Sequence, residues 1–267
     1  MGMEGMLRLN MITSALTVAV FSVLSIGSTV VLTPRFLLLG ILYGLFTLGA
    51  QSFYIIALKG YSLSVCALVY ALNFLIPTMY GVLFEREYPS YFKIIGIVFI
   101  VLAVCLISFS KKDSQAKQNK GIYLVVAFLA MLCSGCLGII QKIYGRYFRS
   151  EDLNVFILVG FTFVLLSVLI LFLMLSRGHK RVALFPRNLS ARFYLLAILL
   201  SISLMTVSKL NTVLASALPS FIFFPILNGG TVIASMLISL FVFKEKATKT
   251  LTFSGLLGVV GIVLVAF

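Results

Sequence analysis

Apolar runs of bilayer-spanning length dominate this sequence and restrict what the chain can fold into. A helix needs about 20 predominantly apolar residues to cross the hydrocarbon core of a bilayer, and runs of that length recur along the chain. Only 10% of the residues are charged, whereas a soluble domain carries about 25%. Short strands with strictly alternating polarity, which indicate an outer-membrane barrel, are not evident. The sequence therefore predicts an all-α integral membrane protein.

Nine transmembrane helices are predicted, separated by short polar or proline-bearing breaks. Pro34, Pro89 and Pro219 each lie at a predicted helix start, where the missing amide hydrogen costs little. Pro77 and Pro225 lie inside spans, where each leaves a carbonyl without its helical partner and bends the helix. The predicted spans are residues 11–33, 36–58, 62–84, 91–110, 121–142, 153–175, 193–214, 219–243 and 250–267.

Two stretches of the chain repeat one pattern. LFEREYPSYFKIIGIVFIVLAVCLISF ends at Phe109 and FVFKEKATKTLTFSGLLGVVGIVLVAF ends at Phe267. Each runs from an apolar helix end, through a charged turn containing Glu87 or Glu245, into a glycine-bearing apolar helix. Because these glutamates lie at helix ends among Arg and Lys, we interpret them as markers of a tight turn and not as catalytic groups.

Aligning the two stretches predicts an inverted repeat of a five-helix unit. Residues 1–110 form a first repeat of four helices, 111–120 form a linker, and 121–267 form a second repeat of five helices. The first repeat has no counterpart of the span 121–142, so we expect its opening helix to be missing. A unit with an odd number of spans leaves the membrane opposite its entry side, so the next unit is inverted. Inverted repeats are typical of secondary transporters, with the substrate site near the bilayer midplane.

The net charge of +14 is explained by membrane topology. Most Lys and Arg fall in short loops on the side of the N-terminus, including the loops 111–120, 176–192 and 244–249. The positive-inside rule places that side in the cytoplasm, and nine spans place the C-terminus outside. We expect a multi-pass protein of the cell membrane that contacts lipid and binds no nucleic acid.

Several motifs resemble the drug/metabolite transporter superfamily, EamA type. The most specific is ALPSFIFFPILNGGTVIASMLISLFVFKEKATKTLTFSGLLGVVGIVLV (217–265), and LSVCALVYALNFLIPTMYGVLFERE (63–87) is its weaker counterpart. The resemblance implies a ten-helix fold, here 4+5 helices without helix 1. It also implies a carrier for metabolites, amino acids, sugars or drugs, often an exporter. Ten-helix members usually keep both termini in the cytoplasm, in conflict with the charge distribution.

Polar side chains inside the spans are the candidates for a substrate cavity, because polar groups in a membrane are costly. Alignment of RFLLLGILYGLF (35–46) with RFYLLAILLSIS (192–203) matches Gln51 to Ser208 and Tyr54 to Asn211. The candidates are Gln51, Tyr54, Tyr70, Asn73, Gln141, Ser208, Lys209, Asn211, Asn228 and Thr231.

Each candidate also has a structural interpretation. The amides and hydroxyls can join helices by hydrogen bonds, and the tyrosines can pack or lie at the membrane interface. Lys209 either snorkels to the interface or faces the cavity, where it could hold a carboxylate or phosphate. Gln141, with Lys142 next to it, either caps the cavity or marks the interface.

The sequence argues against an enzyme, and indicates no cofactor and no metal site. The only His is His179, in a loop, and Cys133 and Cys136 have CxxC spacing but no second ligand pair, whereas structural zinc needs four ligands. We interpret the cysteines as packing residues. No acidic residue lies in the middle of a span, so proton antiport through a buried carboxylate lacks a candidate. Uniport, exchange or coupling through another group is favoured.

These observations predict an alternating-access carrier, an exporter or exchanger, for a small organic solute. The alternatives are a carrier for anionic phosphorylated or nucleotide-linked sugars that uses Lys209, or a membrane scaffold or receptor without transport. Gly255, Gly258 and Gly261 form a ridge of small residues on the last helix. Such a ridge allows close helix packing, either inside the chain or in a homodimer.

Overall fold

The structure, a computed structural model, describes residues 3–28, 32–60, 66, 69–109, 120–149, 151–178, 191–241 and 249–267, and all elements in these ranges are helical. The elements are α1 (Met3–Leu24), α2 (Pro34–Ala57), a 3₁₀ turn (Leu72–Phe74) continuing into α3 (Leu75–Phe84), α4 (Tyr91–Phe109), α5 (Lys120–Tyr147), α6 (Leu153–Gly178), α7 (Ala191–Ala217), α8 (Ser220–Phe241) and α9 (Lys249–Ala266).

Several helices have the length and composition of membrane spans. In the described part of the chain, four are long and apolar enough to cross a bilayer: Pro34–Ala57, Gly121–Tyr147, Leu153–Met174 and Phe193–Ala217. Shorter apolar helices accompany them. Large apolar side chains such as Leu196 and Leu199 are exposed, which in a membrane places them against lipid. These are the features of a helical membrane protein.

Some helix boundaries differ from those predicted. The first helix ends at Leu24, before residue 33, because the chain turns through Gly27, whose φ of 88° favours glycine. Helix α5 continues to Tyr147 instead of ending at 142, so Lys142 lies inside it. Parts of several predicted features lie outside the described residues. Among them are the linker 111–120, the loop 176–192 with His179, the turn with Glu245, and portions of the spans 11–33, 62–84, 91–110 and 219–243.

The helices form two compact units, Met1–Leu48 with Ile143–Val213, and Gly49–Lys142 with Leu214–Phe267. In the first unit α1 packs along α6, around a core that includes Met11, Val164 and Val168. Helix α2 crosses α6 where Gly44 meets the backbone of Gly160, and a Cβ on Gly44 would overlap the Gly160 carbonyl group. This crossing depends on the absence of a side chain.

Helix α6 of the first unit begins with a complete N-terminal cap. The Asp152 Oδ1 atom accepts a hydrogen bond from the Asn154 backbone N–H at 2.6 Å, and the Ser28 hydroxyl, from the segment after α1, donates to Oδ2. Burial raises the pKa of Asp152, but these hydrogen bonds and one from the Val155 backbone outweigh it, so the pKa lies below its ordinary value of 3.8. The ionised carboxylate therefore stabilises the start of α6.

We expect Asp152→Ala to lower the free energy of unfolding by about 1 kcal/mol near neutral pH, the usual cost of losing a cap. Because the folded pKa is lowered, this stabilisation is present above pH 3.8 and is lost as the pH falls through the lower folded value. Asp152→Asn keeps a capping oxygen but does not titrate. Unfolding of the three proteins across this pH range checks the assignment, which is wrong if Asp152→Asn loses as much stability on acidification as the native chain.

The second unit is built on a long contact between α4 and α9. Residues with increasing numbers on α4 contact residues with decreasing numbers on α9. A Cβ on Gly96 would lie 2.9 Å from Val265, and a Cβ on Gly261 would lie 2.9 Å from Ile100. A Cβ on Gly258 would lie 3.5 Å from Ala103. The two helices are therefore antiparallel. Helix α8 packs on α9, α4 and α3, and the core includes Phe74, Ile100, Val104, Phe223, Phe224 and Val265.

The glycine ridge of the last helix lies in this contact. Gly258 and Gly261 face α4, and Gly255 is also buried. In the structure Gly258 and Gly261 serve packing inside the chain, one of the two alternatives that the sequence left open. A homodimer through this face stays a prediction.

Candidate functional site

A group of polar side chains meets inside the second unit; we call Tyr54, Tyr70, Asn73 and Ser134 the polar cluster. The Asn73 side-chain amide donates a hydrogen bond to the Ser134 hydroxyl at 2.7 Å, and the Tyr70 hydroxyl bonds to the same serine. The rings of Tyr54 and Tyr70 meet edge to face, with 5.0 Å between centroids. The cluster joins α2, the segment before α3, and α5.

Local sequence explains why these elements approach at this place. Pro77 has no amide hydrogen to offer the carbonyl group of Asn73, and the helix preceding it is interrupted by the 3₁₀ turn Leu72–Phe74. On α5, Gly135 lets Ile76 pack directly on the backbone. On α2, a Cβ on Gly49 would lie 3.0 Å from the Cys133 sulfur atom. Small residues thus bring the three segments close together.

The four members of the polar cluster are each half-buried. Polar side chains in the membrane part of a protein usually face a protein interior or a water-filled cavity, because contact with lipid is costly. Cys133 and Cys136, on either side of Ser134, are also half-buried. None of these residues carries a formal charge at neutral pH. The arrangement offers hydroxyl groups, an amide and aromatic faces to a ligand.

The predicted site residues on α8 bond to their own helix. The Asn228 amide donates to the Phe224 carbonyl oxygen at 3.1 Å, and the Thr231 hydroxyl donates to the Leu227 carbonyl oxygen at 2.7 Å. Asn228 is half-buried and Thr231 is exposed. These bonds anchor the side chains along α8 and do not join it to another helix.

Three further predicted residues lie in the first unit, on α7. Lys209 is exposed, and its ammonium group donates to the side-chain oxygen of Asn154 at 2.9 Å. Asn154 is in the first turn of α6, so the Lys209 head group reaches towards the start of that helix. Ser208 and Asn211 are half-buried.

The last two candidates belong to the second unit. Gln51 is half-buried on α2, one turn before Tyr54. Gln141 is buried on α5, next to Lys142. The structure therefore brings Tyr54, Tyr70 and Asn73 into one cluster, whereas Ser208, Lys209 and Asn211 belong to the first unit.

A second group, which we call the ionic cluster, surrounds Lys142. Its ammonium group contacts Glu85 Oε2 at 3.3 Å and Glu87 Oε1 at 3.1 Å, and donates to the Leu218 carbonyl oxygen at 2.8 Å. A lysine ammonium has three N–H donors, so these acceptors match its capacity. The Lys142 side chain is only 8% exposed and the two glutamates 12% and 13%. The cluster is therefore largely shielded from solvent.

The ionic cluster also holds the start of α8. The Ser220 backbone N–H donates to both oxygens of Glu87, at 3.0 and 2.7 Å. The Glu87 carboxylate thus lies at the positive end of the α8 dipole, where a negative charge is stabilising. Arg86, with φ of 54°, turns the chain between the two acids. Gly81 allows Ser220 to approach α3, since a Cβ on Gly81 would lie 2.6 Å from Ser220.

Sequence reasoning did not find the ionic cluster or Ser134. The sequence predicts the Glu85–Glu87 segment only as a turn, and Lys142, with Gln141, as a cap of the cavity or a residue of the interface, without a pairing between them. A useful signal was the coincidence of two acids and one lysine at the ends of apolar runs, because charges there are costly unless paired. Ser134 lies within the sequence CSGC, whose CxxC spacing points to the cysteines and gives no signal for the serine.

The two clusters lie along one face of α5. Ser134, Gly138 and Lys142 are spaced four residues apart, which places them on the same side of a helix. Between the clusters, a Cβ on Gly138 would lie 2.9 Å from both Pro77 and Phe224. We call this contact of Gly138, Pro77 and Phe224 the apolar constriction. It separates the polar cluster from the ionic cluster by tight packing.

Comparison with known proteins identifies a fold. No protein-family model and no curated protein matches this sequence. A solved crystal structure of a protein is similar over 97% of this chain and 86% of that chain, with a TM-score of 0.72 and 16% sequence identity. In all, 28 chains of solved structures match. At such low identity the likeness concerns the fold alone.

Proposed function

We propose that this protein is a secondary transporter of the drug/metabolite type that moves a small organic solute across the cell membrane by alternating access. In this proposal the chain has nine spans, arranged as an inverted repeat of 4+5 helices with the N-terminus in the cytoplasm. The single observation that carries the proposal is the half-buried polar cluster inside otherwise apolar helices.

The contact between α4 and α9 supports the inverted repeat. In the alignment of the two repeated stretches, Ile100 corresponds to Gly258 and Ala103 to Gly261. Ile100 contacts Gly261, and Ala103 contacts Gly258. Replacing each residue of one contact by its equivalent in the other repeat therefore gives the second contact. Exchanged contacts of this kind are the mark of a two-fold relation. Equivalent helices that pack antiparallel are expected where the second repeat is inverted.

Two further helix pairs support the same relation. Helix α1 packs on α6 within the first unit, and α3 packs on α8 within the second. In the predicted repeat, these pairs are the second helices and the fourth helices of the two five-helix units. Packing between equivalent helices is expected when a pseudo-two-fold axis passes between them.

The chemistry of the polar cluster favours a neutral or weakly polar solute. Its hydroxyl and amide groups can exchange hydrogen bonds with a ligand, and the Tyr54 and Tyr70 rings offer aromatic contact. An anionic sugar would need cationic side chains at the site, and Lys209 instead contacts Asn154 at the start of α6. We therefore place uniport or exchange of an uncharged organic solute ahead of anion transport.

The proposal is tested by identifying a solute and then measuring its exchange. Purified protein is screened for metabolites that raise its unfolding temperature, and each hit is measured by radiolabelled counterflow in proteoliposomes. We expect saturable counterflow, reduced roughly tenfold by Ser134→Ala, the effect of losing a hydrogen bond worth about 1.4 kcal/mol. Unsaturable ion current would indicate a channel instead.

Ser201→Ala is the matched control for this measurement. Ser201 is a buried serine whose hydroxyl bonds to the Ala197 carbonyl oxygen of its own helix at 2.7 Å, and it belongs to the first unit. It should transport like the native chain. Equal transport by Ser134→Ala and Ser201→Ala would remove the polar cluster as the solute site.

A further inference from the structure

The ionic cluster joins the end of α3 to the start of α8, and each of these helical segments has an irregularity near the cluster. Helix α3 is only 10 residues long and follows the 3₁₀ turn Leu72–Phe74. Helix α8 carries Pro225 close to its start at Ser220. Mid-helix 3₁₀ segments mark hinges, and proline is the usual cause of a helix kink. Both short segments thus have a point about which they can turn.

The position of the ionic cluster relative to the polar cluster is also specific. Eight residues of α5 separate Ser134 from Lys142, which is about 12 Å at 1.5 Å per residue. The apolar constriction lies between them, where Gly138 meets Pro77 and Phe224. A solute at the polar cluster could leave past Lys142 only if Pro77 and Phe224 moved apart. Their two segments are held together by Glu87, which accepts from Ser220 and pairs with Lys142.

Buried ion pairs are weak evidence for a purely stabilising role. Removing two charges from water costs several kcal/mol, and well-packed apolar side chains often hold a protein as firmly. The Arg86 backbone in addition adopts a left-handed conformation, φ 54°, which is uncommon outside glycine and asparagine. Such strain clusters at switch regions. Charged hydrogen bonds are also directional, so a modest displacement of α8 would break several of them together.

We propose that Lys142, Glu85 and Glu87 form a latch that closes this end of the second unit, and that the structure represents the closed state of the gate. Opening separates α3 from α8, which removes the Pro77–Phe224 constriction and gives the polar cluster an exit on this side. The proposal rests on the proposed transport function, for which it supplies the gate. Lys142 is here a positioning residue: it holds the gate segments and does not contact the solute.

The test uses a buried reporter on the gate segment. Thr78 is 6% exposed and its hydroxyl donates to the Phe74 carbonyl oxygen at 2.7 Å, so Thr78→Cys is a small change. It is introduced as the sole cysteine, with Cys66, Cys105, Cys133 and Cys136 replaced by alanine. Its reaction with a water-soluble maleimide is slow while the gate is closed.

We expect Glu87→Gln to raise the labelling rate of Thr78→Cys roughly tenfold, because losing one charged partner shifts the open–closed balance by about 1.4 kcal/mol or more. Glu85→Gln, which removes the longer contact to Lys142, should raise it less, and is the second variant if Glu87→Gln fails to fold. Arg86→Gln changes an exposed charge between the two acids and should leave the rate unchanged.

Thr47→Cys distinguishes opening of the gate from general loosening. Thr47 is 8% exposed and bonds to the Tyr43 carbonyl oxygen at 2.7 Å, matching Thr78 in chemistry, but it belongs to the first unit. Glu87→Gln should leave its labelling unchanged. An equal rise at both reporters, or no rise at Thr78→Cys, would overturn the latch. The measurement needs no transported solute, so its failure would leave the counterflow result standing, and failed counterflow would leave the labelling result standing.

Discussion

Lys142→Met is expected to destabilise the folded protein by roughly 3–5 kcal/mol, the usual cost of removing one partner from a buried ion pair. The substitution keeps most of the side-chain volume but removes the ammonium group that pairs with Glu85 and Glu87. It also removes the donor to the Leu218 carbonyl oxygen. SDS titration followed by helical circular dichroism measures the change.

Lys209→Met is the matched control, because Lys209 is exposed and makes a single hydrogen bond to Asn154. Exposed lysines contribute little, about 0–1 kcal/mol. A second comparison adds Glu85→Gln and Glu87→Gln to Lys142→Met. Since replacing a whole buried ionic group is often nearly neutral, the triple variant should recover much of the lost stability. If Lys142→Met proved as stable as Lys209→Met, the ionic cluster would have to be well hydrated.

The location of the helices could be predicted because each apolar run carries its own signal. Pro34 begins α2 as expected. Pro77 is visible in the sequence as a proline inside a span, and the 3₁₀ turn Leu72–Phe74 lies just before it. Tyr54, Tyr70 and Asn73 of the polar cluster are among the candidates because they are polar side chains inside predicted spans. Local backbone chemistry is sufficient for predictions of this kind, since it depends on neighbours in the sequence.

The partners across helices could not be predicted in the same way. Glu87 and Ser220 are 133 residues apart, and their contact depends on how each helix is rotated and how far it extends. Helix α5 continues past the predicted end at residue 142, which converts Lys142 from a boundary residue into a helical side chain. The alignment of the two repeats shows which positions are equivalent, but it does not show which residues touch. Tyr54 and Asn211 occupy equivalent positions but belong to different compact units.

The α4–α9 contact supplies the second large expected effect, in which Gly261→Ala destabilises the protein by roughly 1–3 kcal/mol, as overpacking of a tight core does. A Cβ on Gly261 would lie 2.9 Å from the Gly96 carbonyl oxygen and 3.0 Å from the Ile100 amide nitrogen. Both neighbours are backbone atoms, which cannot rotate away. The helices would have to separate along their contact, so the loss extends beyond one residue.

Gly258→Ala provides the comparison, because a Cβ there would lie 3.5 Å from the Ala103 methyl group, an ordinary contact. Alanine favours a helix over glycine by up to about 1 kcal/mol, so Gly258→Ala should be neutral or stabilising in the same SDS titration. The difference follows from the repeat. Ala103 and Gly261 are equivalent positions. Ala103 faces Gly258, which leaves room for its methyl group, whereas Gly261 faces the larger side chain of Ile100. Equal effects of the two substitutions would contradict the close approach of α4 and α9, and with it the exchanged contacts that support the inverted repeat.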